Sequence, residues 1–535
     1  MGLNALNLAA AFTKASSALS LRFSKAIPSK PERRQSAMRP ALLLLAIGAA
    51  PALANTTQAA IDSAVNRAQA GPANLGNASQ GIALFGKPLN DLLPDWYLAA
   101  RPNTSQTGVI VMDMGTGRLL VADNSERTML PASVQKLFLA TAATQSLGND
   151  FRFNTRLYSK GARKSHLDTL YLEMEGSPLL SSQDLQALFR SVKALGVTKV
   201  DELVLISDDN EAPQARGWVW DDLGFCYAAP VSNLTLDKNC VSGSLAPTKD
   251  GKAVKLILSN DAGIKVDNRI VYRPELAYKD CKPELTALGG NEFRLWGCYS
   301  GKDPLPLAFA ISDTHEWMSI KAPRLGKAAG IDVGKVRVKP SLPKDVSLLA
   351  SHSSAPLPVL VKELLKESDN LIADSLLKRL GQKHYGKADF YHGAKAMKDI
   401  LGAEGIDLSR AVLLDGSGLS RYNLINPRQL MNLLLYIHNT PSLHGLIESM
   451  PVSGLDGTLA YRRFFNREPL KGKVVAKTGS MGGVANLAGF INGSKTTYGF
   501  VILENGLVDS RDENGRKNGP VFSAEVLKAL LQAHP

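Results

Sequence analysis

Every cysteine of this 535-residue chain, Cys226, Cys240, Cys281 and Cys298, falls inside one window of 73 residues. That window lies in a longer stretch, from about Ser165 to Lys344, which reads as short strands such as LDTLYLEMEG and KVDELVLISDD separated by Gly, Pro and Asp turns. Helical periodicity dominates instead from Val359 to Arg379 and from Pro427 to His438. The length suggests roughly three domains. Apolar residues at 44%, charged residues at 21% and a mean hydropathy of −0.06 belong to a folded globular protein, not to a disordered chain or a membrane bundle. There is no internal repeat and no long low-complexity segment.

The amino-terminal residues point to export. From Met38 the chain runs MRPALLLLAIGAAPALA: a short basic start, an apolar run from Ala41 to Ala50, and Ala52-Leu53-Ala54 as an A-x-A cleavage site. That is the build of a secretory signal peptide, and it falls short of the ~20 apolar residues a membrane span needs. The mature chain is expected to start near Asn55, periplasmic or secreted, with at most peripheral membrane association. The residues before Met38 read as an over-extended start or a transit-like segment, and initiation at Met38 is favoured because a full n-, h- and c-region begins there. Residues 1–54 hold seven Lys or Arg against one Glu, so nearly half of the formal charge of +13 belongs to this leader. The rest could attract anionic polymers. No dense Lys/Arg run with interleaved aromatics marks a nucleic-acid site, so nucleic acid is not an expected partner.

An even number of cysteines in an exported chain suggests disulfides. Four allow three pairings, and separations of 14 and 17 make Cys226–Cys240 and Cys281–Cys298 the simplest assignment. Buried free thiols are the alternative. Zinc is disfavoured because no C-x-x-C or H-x-x-x-H accompanies them, and the eight histidines form neither ligand spacing nor triad, so no metal or cofactor is expected.

Three short motifs carry chemistry. LPASVQKLFLATAATQSLG, Leu130 to Gly148, reads as a helix entered at Pro131-Ala132-Ser133 and ended at Gly148. Ser133 and Lys136, three apart, project from one face of its first turn, so a desolvated, neutral lysine amine could serve the serine as base without a histidine. Ser-x-x-Lys alone is weak, arising about twice by chance in such a chain. Ser341-Leu-Pro-Lys344 and Ser375-Leu-Leu-Lys378 share the spacing but lack the Pro-Ala lead-in and the order. The second motif, Ser368-Asp369-Asn370, looks like a loop feeding a helix: its hydroxyl can relay a proton and its amide can hold the lysine and a substrate amide, although all three residue types also favour helix N-caps. The third, Lys477-Thr478-Gly479-Ser480, lies between KGKVVA and MGGVANLAGFI, which read as two strands of a hairpin. There Lys477 and Thr478 could bind a terminal carboxylate, Gly479 could let a ligand lie along the strand edge, and Ser480 could lend an N–H, against the plain alternative of an exposed basic strand.

Together, in this order, the motifs are those of penicillin-binding proteins and serine β-lactamases, which the chain resembles. Ser133 and Ser368 are 235 positions apart, far more than a compact β-lactamase needs. The layout resembles the D-Ala-D-Ala carboxypeptidase and endopeptidase family typified by penicillin-binding protein 4, in which a second domain interrupts the catalytic one and a third interrupts the second. DGSGLSRYN (Asp415–Asn423), SGLDGTLAYR (Ser453–Arg462) and LKGKVVAKTGSMGGVANLAGF (Leu470–Phe490) resemble blocks of that family.

The resemblance implies an α+β fold, a penicillin-binding-protein-like catalytic domain with helices on an antiparallel sheet. Its expected parts are residues 55–164 and 345–535, after the 1–54 leader, with inserted β-rich domains, one nested in the other, at 165–344. It implies catalytic roles for Ser133, Lys136, Ser368, Asn370 and Lys477, and substrate contacts from Thr478, Gly479 and Ser480. Arg421, Met481 and Asp237 would border a cavity for the peptide's diamino-acid side chain, Asp237 having a turn or cap residue as its alternative. Peptidoglycan peptides ending in D-Ala-D-Ala are the implied substrate and β-lactams the implied covalent inhibitors. A serine β-lactamase or a non-catalytic wall-binding scaffold would share the fold. Amino-terminal sequencing of the exported protein should begin near Asn55; a mature protein retaining Met1 would overturn the leader reading.

Overall fold

The computed structural model describes residues 90–161, 165–208, 213–258, 263–277, 280–508 and 521–535. The leader, the Met38 signal peptide and the expected start at Asn55 lie outside the described residues. None of the described helices is long and apolar enough to cross a membrane.

The first sheet has the order Val474–Met481, Val484–Asn492, Thr497–Asn505, Gln106–Asp113, Leu119–Asp123 and is antiparallel throughout. Gln106 pairs with Asn505, so the two ends of the described chain close one sheet. Burial runs unbroken from Thr107 to Asp113 because both faces are covered. Tyr97 and the Phe522–Ala533 helix pack on one face, and the Pro427–Asn439 helix packs on the other. Strands covered on both faces lose the alternation of a half-exposed sheet. Val474–Met481, which carries the Lys-Thr-Gly motif, is an edge strand.

The second sheet has the order Asp332–Lys339, Lys199–Ile206, His166–Met174, Asn154–Lys160, Val346–Ser353. Its first three strands are parallel and the others antiparallel. Parallel neighbours need a crossover, supplied by the Ser182–Ala194 and Thr314–Ala328 helices. Ser181 and Asp184 form a capping box at the first of these. Leu185, Leu188 and Phe189 of one helix and Trp317 and Met318 of the other pack against Leu157, Leu172, Leu203 and Leu205 of the sheet. The strand pattern was legible in the sequence, whereas the parallel pairing was not. The sheet also reaches beyond the expected 165 and 344 boundaries, because Asn154–Lys160 and Val346–Ser353 find their backbone partners within it.

Between Lys199–Ile206 and the Thr314–Ala328 helix, the chain builds two smaller sheets. Cys240–Pro247 is central between Val254–Leu258 and Leu305–Ala310, while Glu292–Tyr299 pairs with Pro283–Gly289, Lys265–Asn268 and Val271–Tyr272. The cysteines adopt the simplest pairing, Cys226–Cys240 and Cys281–Cys298, with Cα atoms 5.4 and 5.2 Å apart. Trp317 anchors the insert core at 1% exposure. Trp317→Ala should therefore cost about 3–5 kcal/mol, read as a lower urea midpoint; an unchanged midpoint would contradict this packing.

Candidate active site

Three elements converge on Ser133. It lies on a 3-10 turn, Ala132–Gln135, that runs directly into the Lys136–Leu147 helix, which ends at Gly148 as its sequence indicated. Ala132 has φ +47°, a left-handed conformation costly for a residue with a Cβ. The turn is held from outside. Asn486 Nδ2 donates to the Leu130 and Pro131 carbonyls at 2.8 and 2.7 Å, and Asn505 Oδ1 accepts from Leu130 N at 2.8 Å. Two glycines complete the clamp. A Cβ on Gly418 would lie 2.0 Å from the Ala132 carbonyl oxygen, and one on Gly479 would lie 2.8 Å from the Pro131 oxygen and 3.2 Å from the Ser133 nitrogen. Gly479 thus lets the turn that carries Ser133 approach the edge strand.

Lys136 is fully buried. Its Nζ lies 2.9 Å from Ser133 Oγ, 2.6 Å from Asn370 Oδ1 and 2.7 Å from the Ser417 carbonyl. Burial lowers its pKa to about 8, against the opposing pull of Asp374, Asp415 and Asp369. A neutral amine has two donors and one lone pair. The two carbonyl oxygens can only accept, so they take both N–H groups and leave the lone pair facing the Ser133 hydroxyl.

Ser368-Asp369-Asn370 is both a cap and a contact. Asp369 caps the Asn370–Tyr385 helix, accepting from Ile372 N at 2.9 Å. Ser368, at φ +61°, turns its Oγ to within 2.8 Å of Lys477 Nζ, while Asn370 reaches Lys136. Lys477 is fully buried and also donates to the Thr478 carbonyl at 2.9 Å. Burial, then the charges of Lys136 and Arg462, depress its pKa well below the usual lysine value. Among the described residues, no carboxylate side chain lies within ion-pair distance of it. Thr478 Oγ1 lies 2.8 Å from Thr458 Oγ1.

The D-Ala-D-Ala carboxypeptidase 3 (S13) family profile matches residues 95–526. The D-alanyl-D-alanine carboxypeptidase of Haemophilus influenzae is 34% identical over 433 residues, 79% of this chain and 90% of its own length. The crystal structure of penicillin-binding protein 4 from Haemophilus influenzae superposes with a TM-score of 0.75 at 32% identity, covering 82% of this chain and 98% of that one. A second structure of that protein, complexed with a β-lactam, superposes at 0.71 with 31% identity, over the same shares of both chains. This chain belongs to the D-Ala-D-Ala carboxypeptidase 3 (S13) family. It is a serine-type D-Ala-D-Ala carboxypeptidase, and its α+β architecture is that of penicillin-binding protein 4.

Arg421 Nη1 donates to the carbonyl of Gly482, the residue after Met481, at 2.8 Å. Asp237 is not a free carboxylate. Its oxygens accept from Ser182 N at 2.7 Å and Ser182 Oγ at 2.5 Å, tying the start of the Ser182–Ala194 helix, which is the cap alternative. The rival Ser-x-x-Lys pairs are elsewhere. Ser341 is an exposed bend residue, and Ser375 is buried mid-helix while Lys378 donates to the Val231 carbonyl.

Several contributors escaped the sequence reading. Ser417 acts through its carbonyl, which no side-chain motif reveals. The N–H of that carbonyl's own peptide, Gly418 N, donates to Asp415 Oδ1 at 2.8 Å, and the buried Asp374 holds the two preceding peptides by accepting from Gly416 N at 2.6 Å and Ser417 N at 3.1 Å. Burial, followed by the nearby Asp415 charge, raises its pKa to about 8. Asn486 did leave a signal, a polar residue in the apolar strand VANLAGFIN. Gly418→Ala should cut D-alanine release from a D-Ala-D-Ala peptide by about a hundredfold, since misplacing a reacting group by 1 Å costs that much. Gly402→Ala, in open space on the Phe390–Ala403 helix, should leave it intact. Equal activities would refute the clamp.

Proposed function

We propose that Ser133 is the acylated nucleophile, that Lys136 is its base, and that the substrates are peptidoglycan stem peptides ending in D-Ala-D-Ala. The observation that carries this reading is the Lys136 amine 2.9 Å from Ser133 Oγ, with carbonyl oxygens on its other two contacts. The peptide would lie antiparallel to the Val474–Met481 edge strand, with its terminal carboxylate at Lys477 and Thr478. That carboxylate would supply the countercharge that favours the lysine's ammonium form.

Ser133 Oγ attacks the penultimate D-alanine carbonyl as its proton moves to Lys136. The Ser133 and Ser480 N–H groups face the developing oxyanion, a contribution of about 3–4 kcal/mol in such sites. The proton then reaches the departing D-alanine nitrogen, with Ser368 and Asn370 lying between the two lysines. Water hydrolyses the ester. In an endopeptidase reaction the nucleophile is the same and only the leaving amine differs. A β-lactam would acylate the same serine and keep its leaving group tethered, in line with the β-lactam complex of the Haemophilus influenzae protein. We also propose export through the Met38 signal peptide. The catalytic unit would combine the first sheet with the flanking helices, and the residues from about 154 to 353 would form the nested inserts.

A D-Ala-D-Ala muropeptide, a cross-linked dimer and a penicillin, incubated separately with the protein, distinguish the readings. At least one peptide should turn over while opened penicillin stops near one equivalent, labelled at Ser133. Catalytic penicillin opening would indicate a β-lactamase, and no reaction a scaffold. Lys136 must be neutral to act, so kcat/KM should climb as pH rises through about 8. Lys477→Ala should lose about 1.5–3 kcal/mol of transition-state binding, roughly 10- to 150-fold, for both ligands. Full activity of that variant would displace the carboxylate site.

A further inference from the structure

The inserted segment touches the catalytic motifs at points the acyl-transfer reading leaves unexplained. Trp218 Nε1 donates to Asp415 Oδ2 at 2.9 Å and Ser420 Oγ to the Arg216 carbonyl at 2.6 Å, which fastens the loop that carries Ser417. Further along, Asn370 Nδ2 donates to the Tyr227 carbonyl at 2.7 Å, and Lys238 Nζ donates to Asp369 Oδ2 at 2.7 Å. Tyr227 follows Cys226 and Lys238 stands two residues before Cys240, so one disulfide closes the loop that presents both groups.

These contacts act on defined atoms. A backbone carbonyl accepts and cannot donate, so Tyr227 fixes the NH2 side of the Asn370 amide and turns Oδ1 onto Lys136. Lys238 holds the carboxylate that caps the helix whose first residue is Asn370. We propose that Lys238 and the Tyr227 carbonyl are positioning groups for Ser368-Asp369-Asn370, and that the Cys226–Cys240 loop is thereby a working part of the machinery that activates Ser133. The inference rests on the assignment of Ser133 and Lys136 above.

Lys238 also adjusts charge. Asp369, Asp374 and Asp415 all favour the ammonium form of Lys136. Lys238 offsets Asp369 and lies 3.7 Å from Glu363. Without Lys238, the uncompensated Asp369 would hold the Lys136 proton more tightly, so less free amine would remain at neutral pH. The ascending limb of the rate profile would then move to higher pH.

The test is acylation of the full-length protein by a fluorescent penicillin, followed over time and across pH. Lys238→Met should slow labelling about tenfold at pH 7, move the ascending limb upward, and still reach one label on Ser133. Lys238→Arg should restore the rate to within about threefold and return the limb to its original position. The Lys238 side chain is 44% exposed, so its replacement spares folding. Cys226→Ser/Cys240→Ser, with Cys281–Cys298 intact, should slow labelling by a similar factor. A wild-type rate and pH profile for Lys238→Met would overturn the proposal, as would equal losses in Lys238→Met and Lys238→Arg with no shift of the limb, which mark a structural role. Failure of the wild-type protein to label at Ser133 would instead remove the underlying site assignment.

Discussion

Lys136 carries its amine into the protein interior, where the ammonium form loses its hydration and regains only part of it from neighbours. Desolvation wins over three carboxylates, and the pKa falls to about 8. Roughly a tenth of such a group is free amine at pH 7. The surroundings then decide where the lone pair points. Two carbonyl oxygens, from Asn370 and Ser417, occupy the N–H directions, and Ser133 receives the remaining one.

Keeping that arrangement requires rigid support for every partner. The turn that carries Ser133 is itself strained at Ala132 and is over-determined by Asn486, Asn505 and the close approach of Gly418 and Gly479. The Ser417 carbonyl is oriented by Asp415, which accepts from Gly418 N, and the two preceding peptides are held by Asp374, a buried carboxyl on the helix that begins with Asn370. The edge strand serves twice: Gly479 admits the turn, and Lys477 is held buried beside Ser368 with no carboxylate within ion-pair distance among the described side chains. Pre-organised polar groups of this kind do most of the work in acyl transfer because they need not rearrange during the reaction.

The insert takes part in this support. Its parallel strands and crossover helices build a core of their own around Trp317 and Phe189, so it can present Trp218, Tyr227 and Lys238 from a firm base. Asp237, expected to reach the site, fastens the insert's own helix instead. Its neighbour Lys238 spans the gap to Asp369.

Sequence alone brought Ser133 and Lys136 together, because they are three residues apart and a single helical turn fixes their relation. It likewise indicated the hairpin around Lys477, a cap in Ser368-Asp369-Asn370 and the strands between about Ser165 and Lys344, all of which depend on neighbours close along the chain, and it made the observed disulfide pairing the simplest of three. What only the tertiary structure decided lies at long separations or in the backbone. The parallel pairing of the second sheet, the Ser417 carbonyl, the support from Asp374 and the reach of Lys238 leave no local pattern, since a carbonyl has no residue signature. Lys238 and Asp369 are 131 positions apart. Such contacts exist only once buried apolar faces have brought distant segments together, and the protonation state of Lys136 depends on them: the sequence names the amine, and the folded interior sets its charge.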